Sequence, residues 1–583
     1  MKHKLILSLF LAFILNAGFD AKLSGQDFTI YNTTIPGFYQ GGTDWADFDN
    51  DGYLDLAICG ALSNNMPATR IYRNNAGIFT DINAQLEGLK NGSIQWGDID
   101  NDGDPDLLVC GLNASATAVT NVYRNDNGTF TKLNTQLPGI FNGMARFTDF
   151  NNDGWLDIFL TGDTLSYNAF SSFYKNNGNL TFTPANLGIA GAISSMASFG
   201  DYDNDGDADF LLSGDIGGAY YSKLYRNDMG GFTEVTTNLE GLGAGWSLFF
   251  DLDRDADLDV FLMGNDLSLT PSFKTFKNKG NGEFQEFFIG MTGLSLGNFA
   301  VADYNNDGYP DFVATGKAPG CGAMNTVLYY NNKAGSFWQS TTSLIFLNYS
   351  FASWADFDND GDNDLLLIGL NSSGSAVTRL YENTLKAGIF TPATQPAAPE
   401  NLNYTFEGQN VILSWNRPSG ANSGSTWSYN LRVGVISGGM EIMAPASDPI
   451  SGNLRLYQMG NVTQDTFYIL KNLREGEYFW SVQAISPSLE GSEFAPEQTF
   501  TFSITGVGES KPGNHVSVWP NPTSGILHIE ISESRNFELV DLTGRQYLKD
   551  RLQPGTNTLN LSSLSKGVYF LKVGDDLIKV MKR

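Results

Sequence analysis

The sequence predicts an all-β protein: a seven-bladed β-propeller followed by two small β-sandwich domains. Three observations carry this. An acidic cassette returns seven times, as DFDNDGYLD at Asp47, DIDNDGDPD at Asp98, DFNNDGWLD at Asp149, DYDNDGDAD at Asp201, DLDRDADLD at Asp251, DYNNDGYPD at Asp303 and DFDNDGDND at Asp356. Successive starts lie 51, 51, 52, 50, 52 and 53 residues apart, the period of a ring of repeated sheets. Each cassette leads into a short apolar run ending in glycine: DLAICG, DLLVCG, DIFLTG, DFLLSG, DVFLMG, DFVATG and DLLLIG.

The apolar runs suit strands buried on both faces, as inner strands of stacked blades are. A third strand follows in RIYRN, NVYRN, SFYKN, KLYRN, TFKN, VLYYN and RLYEN, and a fourth opens with phenylalanine in FTDIN, FTKLN, FTPAN and FTEVT. Four strands in each of seven repeats make seven blades. The segment FTIYN, Phe28 to Asn32, is a spare fourth strand able to pair into the last blade and close the ring without leaving an edge. Two residues before each first Asp stand Trp45, Trp96, Phe147, Phe199, Phe249, Val301 and Trp354. A stacking platform for sugars or bases would use such residues, but aromatics locked to one strand position are expected in the blade-to-blade core.

Each cassette reads as a cation loop. Oxygen ligands at positions 1, 3 and 5, glycine at 6, a main-chain carbonyl at 7 and a carboxylate at 9 would wrap a hard divalent ion, as an EF-hand loop does with its last ligand brought closer. The ligand set of the first loop is Asp47, Asp49, Asp51, the Tyr53 carbonyl and Asp55; of the second, Asp98, Asp100, Asp102, Asp104 and Asp106. The third has Asp149, Asn151, Asp153, Trp155 and Asp157, and the fourth Asp201, Asp203, Asp205, Asp207 and Asp209. The fifth has Asp251, Asp253, Asp255, Asp257 and Asp259; the sixth Asp303, Asn305, Asp307, Tyr309 and Asp311; the seventh Asp356, Asp358, Asp360, Asp362 and Asp364. With no His or Cys among the ligands, and several charged oxygens in a flexible turn, the set suits Ca²⁺ better than Mg²⁺ or Zn²⁺, up to seven ions per chain. Asn151 and Asn305 lower the ligand charge of the third and sixth loops, and Ala256 replaces the glycine of the fifth, which is expected to be the weakest or most distorted.

The formal charge of −28 follows from these loops. Positions 1, 3, 5 and 9 hold 26 carboxylates, seven times four less the two Asn, so the rest of the chain sums to about −2. No basic stripe exists to neutralise phosphates, so nucleic acid is not an expected partner. Of three cysteines, Cys59 and Cys110 hold equivalent places in neighbouring repeats, where they are expected to pack as small apolar residues without a disulfide, and Cys321 lies in a loop.

The N-terminus, MKHKLILSLFLAFILNAG, places Lys2 and Lys4 before an apolar run from Leu5 to Leu15. That is the pattern of an export signal and falls short of the ~20 apolar residues a membrane span needs. No later segment reads as a transmembrane span. After the repeats a Pro- and Ala-rich linker, TPATQPAAPENL, precedes alternating strands VILSW, YNLRVG, FYILKNL and GEYFWSVQAI; a last segment carries VSVWPNPTSGILHIE, VDLTGR, LSSLSKGVYFLKV and the basic end IKVMKR.

These motifs resemble known families. The repeats, over roughly Asp27 to Thr394, are similar to FG-GAP/VCBS calcium-binding propeller repeats, familiar from integrin α-subunit heads and bacterial surface proteins. In integrins that resemblance implies ligand binding on the face opposite the calcium loops, while bacterial members vary widely. The next hundred residues, with Trp415 and the Leu473, Tyr478 and Val482 pattern, resemble a fibronectin type III domain, usually a spacer. WPNP, D-x-x-G-R, the KGVY strand and the basic terminus resemble the C-terminal sorting domain of type IX secretion in Bacteroidetes. This last resemblance implies engagement of the type IX machinery, passage across the outer membrane of a Gram-negative bacterium, removal of the domain, and release or attachment at the cell surface. The expected layout is an export signal over 1–26, propeller over 27–394, fibronectin-like domain over 395–505 and sorting domain over 508–583.

Histidine occurs only at His3, His515 and His528, so the repeats and the fibronectin-like segment lack the commonest general base. No G-x-S-x-G elbow, zinc spacing or phosphate loop is present. No catalytic residues are expected. A carbohydrate-active lyase or hydrolase on a propeller scaffold is the alternative, and a structural matrix component without a defined ligand is a third. The expected function is adhesion or recognition of an extracellular glycan or protein. The expected binding surface is the face opposite the calcium loops, which carries Phe38, Tyr39, Phe141, Tyr167, Tyr220, Tyr221, Trp246 and Tyr349; exposed, these would stack on sugars or anchor a protein loop, and turned inward they would plug the central channel.

Overall fold

The computed structural model describes residues 28–582 except 166–167, 217, 229, 253–254, 256, 281, 308, 321–322, 334–335, 385–394, 408, 419–426, 457, 463–464, 488, 504–515, 520–522, 524, 532–533, 542–544, 565–566 and 574–575. The export signal, Cys321 and the Ala256 position of the fifth loop lie outside the described residues. Every helix or strand element among the described residues is a β-strand.

The repeats fold into small antiparallel sheets in which order along the chain is order in space. Five of them are separate four-stranded sheets, such as Ile94–Gly97, Asp106–Leu112, Ala118–Asp126 and Thr129–Lys132. The first and last repeats share one nine-stranded sheet, because Phe38 pairs with both Leu62 of the first and Val377 of the last. Phe28–Tyr31 lies antiparallel on the third strand of the last repeat, Phe28 opposite Asn383 and Tyr31 opposite Leu380. The spare N-terminal strand thus completes the last sheet and covers its edge, which would otherwise present unpaired backbone groups.

The second strands are buried along nearly their whole length, as unbroken apolar runs require. The cores lie between neighbouring repeats. One cluster joins Phe48, Ile58's neighbours Ala57 and Cys59, and Ile71 of the first repeat to Ile94, Trp96, Leu107 and Tyr123 of the second. Trp45, Trp96, Phe147 and Phe249 are buried, and Phe199 and Trp354 are half-buried against the same cores. Cys59 and Cys110 are buried free thiols within them.

Contacts divide the chain into two compact units. One runs through Asn403 and includes Leu413–Leu470 and Phe479–Thr499; the other comprises Tyr404–Ile412, Lys471–Tyr478 and Phe500 onward. In the first, Ser428–Gly434 pairs with the later half of Gly476–Ile485, from Ser428 opposite Ile485 to Gly434 opposite Phe479, over a core of Tyr429, Leu431, Trp480 and Val482. In the second, Tyr478 donates its hydroxyl to the Arg474 carbonyl at 2.8 Å. There too Val516–Trp519, Ile526–Ile531 and Gly555–Asn560 form one sheet and Gln546–Leu552, Arg535–Asp541, Gly567–Val573 and Asp576–Lys582 another, around Leu527, Ile529, Leu539, Leu571 and Val580. No helix among the described residues is long and apolar enough to cross a membrane.

Candidate metal centres

The acidic loops share one internal scaffold. In all seven, Oδ1 of the first Asp accepts the N–H of position 5 at 2.9–3.2 Å. In all seven, Oδ1 of position 5 accepts the N–H of position 7 at 3.0–3.2 Å. Gly52, Gly103, Gly154, Gly206 and Gly361 take φ between 84° and 102°, and each donates its N–H to the first Asp. A side chain at position 6 would carry a backbone penalty there, which is why glycine recurs.

Position 9 has a second task that the cassette alone does not reveal. Its Oδ1 accepts, at 2.7–2.8 Å, the N–H of the asparagine that ends the third-strand motif: Asn74, Asn125, Asn176, Asn227, Asn278, Asn331 or Asn383. The amide of each asparagine then donates to the position-2 carbonyl of the preceding repeat at 2.7–3.4 Å, Asn74 reaching Phe357 of the last repeat. A second belt runs through position 4. Asn50, Asn101, Asn152, Asn204, Asn306 and Asn359 hold φ of 53–60°, and their amides donate to position 6 or 7 of the following loop, Asn359 reaching Gly52 at 2.7 Å. Both belts close from the last repeat to the first, so the loops bind the repeats into a ring as well as offering ligands.

The loop interior fits a cation. One oxygen of position 3 is buried without a hydrogen-bond donor in five loops: Asp49 Oδ1, Asp100 Oδ1, Asp203 Oδ1, Asn305 Oδ1 and Asp358 Oδ2. An orphaned buried acceptor repeated in register is the mark of a missing electropositive partner. Carboxylate oxygens of Asp47, Asp49 and Asp55, of Asp98, Asp100 and Asp106, of Asp201, Asp203 and Asp209, and of Asp356, Asp358 and Asp360 lie within 4.8 Å of one another. Among the described residues no such carboxylate trio forms in the third or sixth loop, where Asn stands at position 3. In the third loop Asn151 Oδ1 instead accepts the Asp153 N–H at 3.0 Å.

The charge state tells the same story. Burial, with neighbouring carboxylates adding to it, raises Asp47 to about 6, Asp98 and Asp358 to about 7, Asp106 to about 8 and Asp55 to about 9. Burial likewise lifts Asp201, Asp209, Asp311 and Asp364 well above the carboxylate range. Part of the charge is met by the basic residue of the third-strand motif. Arg73 Nε and Nη2 pair with the outer oxygens of Asp49 and Asp51 at 2.7 and 2.8 Å, and Arg124 meets Asp100 and Asp102 at 2.6 and 3.0 Å. Lys175 and Lys277 reach Asp153 and Asp255 at 2.9 and 3.1 Å. The last repeat has Glu382 at this place, whose charge further raises Asp358.

The segment after the linker reaches the loops of its own unit. Tyr468 donates its hydroxyl to Asp201 Oδ2. Arg455 donates through Nε to Asn101 Oδ1 at 2.8 Å, and its carbonyl accepts the Asp98 N–H at 2.8 Å.

The opposite face departs from expectation. Phe38 and Phe141 are buried in the inter-repeat cores, because their strand positions face inward, and so are not binding residues. Tyr39 bonds Asn65 at 3.0 Å, the Tyr220 ring packs on Gly243, Tyr221 is exposed, and Tyr167 lies outside the described residues. Only Trp246 and Tyr349 of that set line the central cavity of about 350 Å³. The mouth of this cavity is a collar that the sequence reading missed. Gln40, Asn91, Asn142, Ser194, Ala244, Leu296 and Tyr349 all hold φ of 44–56°. Backbone bonds join neighbours around it: Asn91 to Gln40 at 2.6 Å, Asn142 to Asn91 at 2.7 Å, Leu296 to Ala244 at 2.9 Å and Gln40 to Tyr349 at 3.0 Å. Asp163 bridges the gap at the fourth repeat, accepting from the Asn142 amide and the Ser194 N–H at 3.0 and 3.1 Å.

Fold and loops together define an all-β repeat protein with acidic loops, several of whose Asp clusters could hold a metal ion. The FG-GAP-like repeat matches the chain at residues 47–109, 149–212, 251–314 and 303–367, and the secretion system C-terminal sorting domain matches at 517–583. The chain therefore carries FG-GAP-like repeats and a sorting tail, and the tail indicates export through the type IX system to the cell surface or beyond. Among solved structures it is similar to the extracellular domain of a protein described as a hybrid two-component system from B. thetaiotaomicron, at 11% identity and TM-score 0.38, covering 82% of this chain and 57% of that one. It is also similar to the exotype rhamnogalacturonan lyase YesX, at 14% identity and TM-score 0.35, covering 59% of this chain and 61% of that one. The chain thus spans less than two thirds of either. An exo-beta-1,3-galactanase from Phanerochaete chrysosporium aligns at 12% identity and TM-score 0.28, covering 88% of this chain and 99% of that one. No functionally curated protein matches the sequence.

Proposed function

We propose that this is an exported, calcium-loaded, seven-bladed β-propeller, carried with a fibronectin-like sandwich and a sorting sandwich, that acts at or beyond the outer membrane in non-catalytic recognition of an extracellular glycan or protein. The observation that carries the calcium reading is the recurrence, in register, of a buried position-3 oxygen with no donor inside a carboxylate cage. A hard cation with a preference for six to eight oxygens supplies the missing partner, and Ca²⁺ meets the flexible, all-oxygen geometry better than Mg²⁺. Each loop is a crossing point of two inter-repeat belts, so an ion bound there removes like-charge repulsion where repeats join. Loops one, two, four and seven are the strong sites of this reading, and loops three and six, with Asn151 and Asn305, the weaker ones.

The recognition reading is supported by the export tail and by a collar whose side chains differ from repeat to repeat around an open cavity. The test is to screen the mature protein on glycan arrays and against extracellular matrix proteins, with calcium and with chelator. Binding lost on chelation supports the reading. Turnover of a polysaccharide would replace it with the carbohydrate-active enzyme, and silence on every surface would leave the structural matrix component.

A further inference from the structure

The inner strands carry a third set of inter-repeat bonds, made by the side chains of three of the seven repeats. Three residues before the first Asp of each loop stand Asp44, Gln95, Arg146, Ser198, Leu248, Ala300 and Ser353. Where the side chain is an acceptor it takes the N–H of the next repeat: Trp96 to Asp44 Oδ2 at 2.8 Å, Phe147 to Gln95 Oε1 at 2.8 Å and Phe249 to Ser198 Oγ at 2.9 Å. A guanidinium is donor-only and cannot do this. Arg146 donates from Nε to the Met144 sulfur of its own strand at 3.1 Å, its Nη atoms make no hydrogen bond among the described residues, and Asp44 is the carboxylate whose charge acts on it.

The place it occupies is a built pocket. Among the described residues lining the collar-end cavity of about 350 Å³, Arg146 is the only charged one, and the volume lies within the roughly 300–1,000 Å³ of small-molecule sites. Trp246 stands on the same wall system, edge-on to Phe351 with ring centres 5.4 Å apart. The Trp246 indole N–H and the Tyr349 hydroxyl have no partner among the described residues, and Asn91 Oδ1 is buried without a donor. Beneath lies a second cavity of about 310 Å³ that shares Arg146, Trp246 and Phe351; its far walls include Ser428, Met459 and Pro487 of the segment after the linker. The channel is therefore backed by protein at the loop end, and ligand approaches from the collar.

We propose that the collar-end pocket binds a carboxylate-bearing sugar, with the Arg146 guanidinium clasping the carboxylate and the Trp246 indole lying against the apolar face of the ring. This rests on the recognition reading above and names its ligand class. Guanidinium pairs bidentately with carboxylate, aromatic faces suit sugar C–H surfaces, and the free indole, hydroxyl and amide oxygen are partners for ring hydroxyls. A channel backed at one end admits the end of a glycan chain rather than its middle. Asp44 is the second charged residue in these walls and opposes an anion, so its neutral form favours the ligand.

The test is calorimetric titration of the calcium-loaded full-length mature protein with glucuronate and galacturonate, against glucose, galactose and inorganic sulfate. A uronate should bind at least tenfold tighter than its neutral parent sugar and than sulfate. Arg146→Gln should lower uronate affinity at least tenfold, and Asp44→Asn, which keeps an acceptor for the Trp96 N–H, should raise it several-fold. Uronate and neutral sugar binding alike in the wild-type protein, or an Arg146→Gln variant that melts normally and binds uronate unchanged, overturns the assignment. Because the wild-type comparison needs no variant, a misfolded Arg146→Gln leaves the test intact. If uronates fail while calcium-dependent binding to an array glycan or matrix protein persists, the pocket assignment falls alone; if nothing binds anywhere, the recognition reading falls with it.

Discussion

The two ends of the repeat ring are held by different means. At the loop end the bonds between repeats run through side chains, so the residue types recur: Asn at position 4, Asp at position 9, Asn at the end of the third-strand motif. At the collar end the bonds run mainly through backbone, with the Asp163 carboxylate bridging at the fourth repeat, so a conformation recurs while the residues drift from Gln40 and Asn91 to Leu296 and Tyr349. One end is chemically uniform and suited to holding ions. The other keeps its geometry while its surface is free to vary, which is what a recognition rim requires.

The largest expected effect is at the loop end. A site filled at a hundred times its Kd adds about 2.7 kcal/mol, so several loops together should raise the melting temperature by on the order of 10 °C over the chelated protein, read by scanning calorimetry. The chelated protein should also show a pH slope. Its loop carboxylates are raised from 3.8 to between about 6 and about 9, so the folded state holds more protons than the unfolded one. That contribution is complete below pH ~4 and is lost as pH climbs through this range, and calcium should abolish the slope.

The next effect breaks the collar end. Gly111 holds φ of 145°, and a Cβ there would stand 2.5 Å from the Lys90 carbonyl oxygen. Gly111→Ala should cost about 3 kcal/mol in urea unfolding with calcium present, because both the backbone strain and the contact are with main chain. Asn125→Ala should follow at about 2 kcal/mol, since it strips the Phe48 carbonyl of its donor and the Gly128 N–H of its acceptor in a buried place. The smallest effect has the opposite sign. Leu296 holds φ of 53°, a conformation asparagine tolerates better, so Leu296→Asn should stabilise the protein by up to about 1 kcal/mol without altering calcium affinity.

What was legible in the sequence follows the same division. The loops could be read because their ligands sit within nine consecutive residues, and the closing strand because FTIYN repeats the fourth-strand pattern with no strands of its own beside it. The third-strand asparagines recur just as plainly, yet their role joins residues about 77 apart, such as Asn125 and Phe48, and no local pattern states that. Phe38 and Phe141 were misplaced because a connection of two to four residues decides which side of the strand faces the core. The collar left only a backbone angle to find. The Tyr468 contact with Asp201 spans 267 residues and belongs to tertiary structure alone. Arg146 was visible only once the collar-end cavity placed its guanidinium among uncharged walls.

The central claim is that the acidic loops are calcium cages that lock the repeats together. Equilibrium dialysis of the mature protein against labelled calcium, with a melt of each dialysed sample, measures it most directly. The account predicts at least four ions per chain, lost one at a time in Asp49→Ala, Asp100→Ala, Asp203→Ala and Asp358→Ala, with the melting temperature rising as they bind. No bound calcium at millimolar free ion, or full occupancy with an unchanged melt, would contradict it.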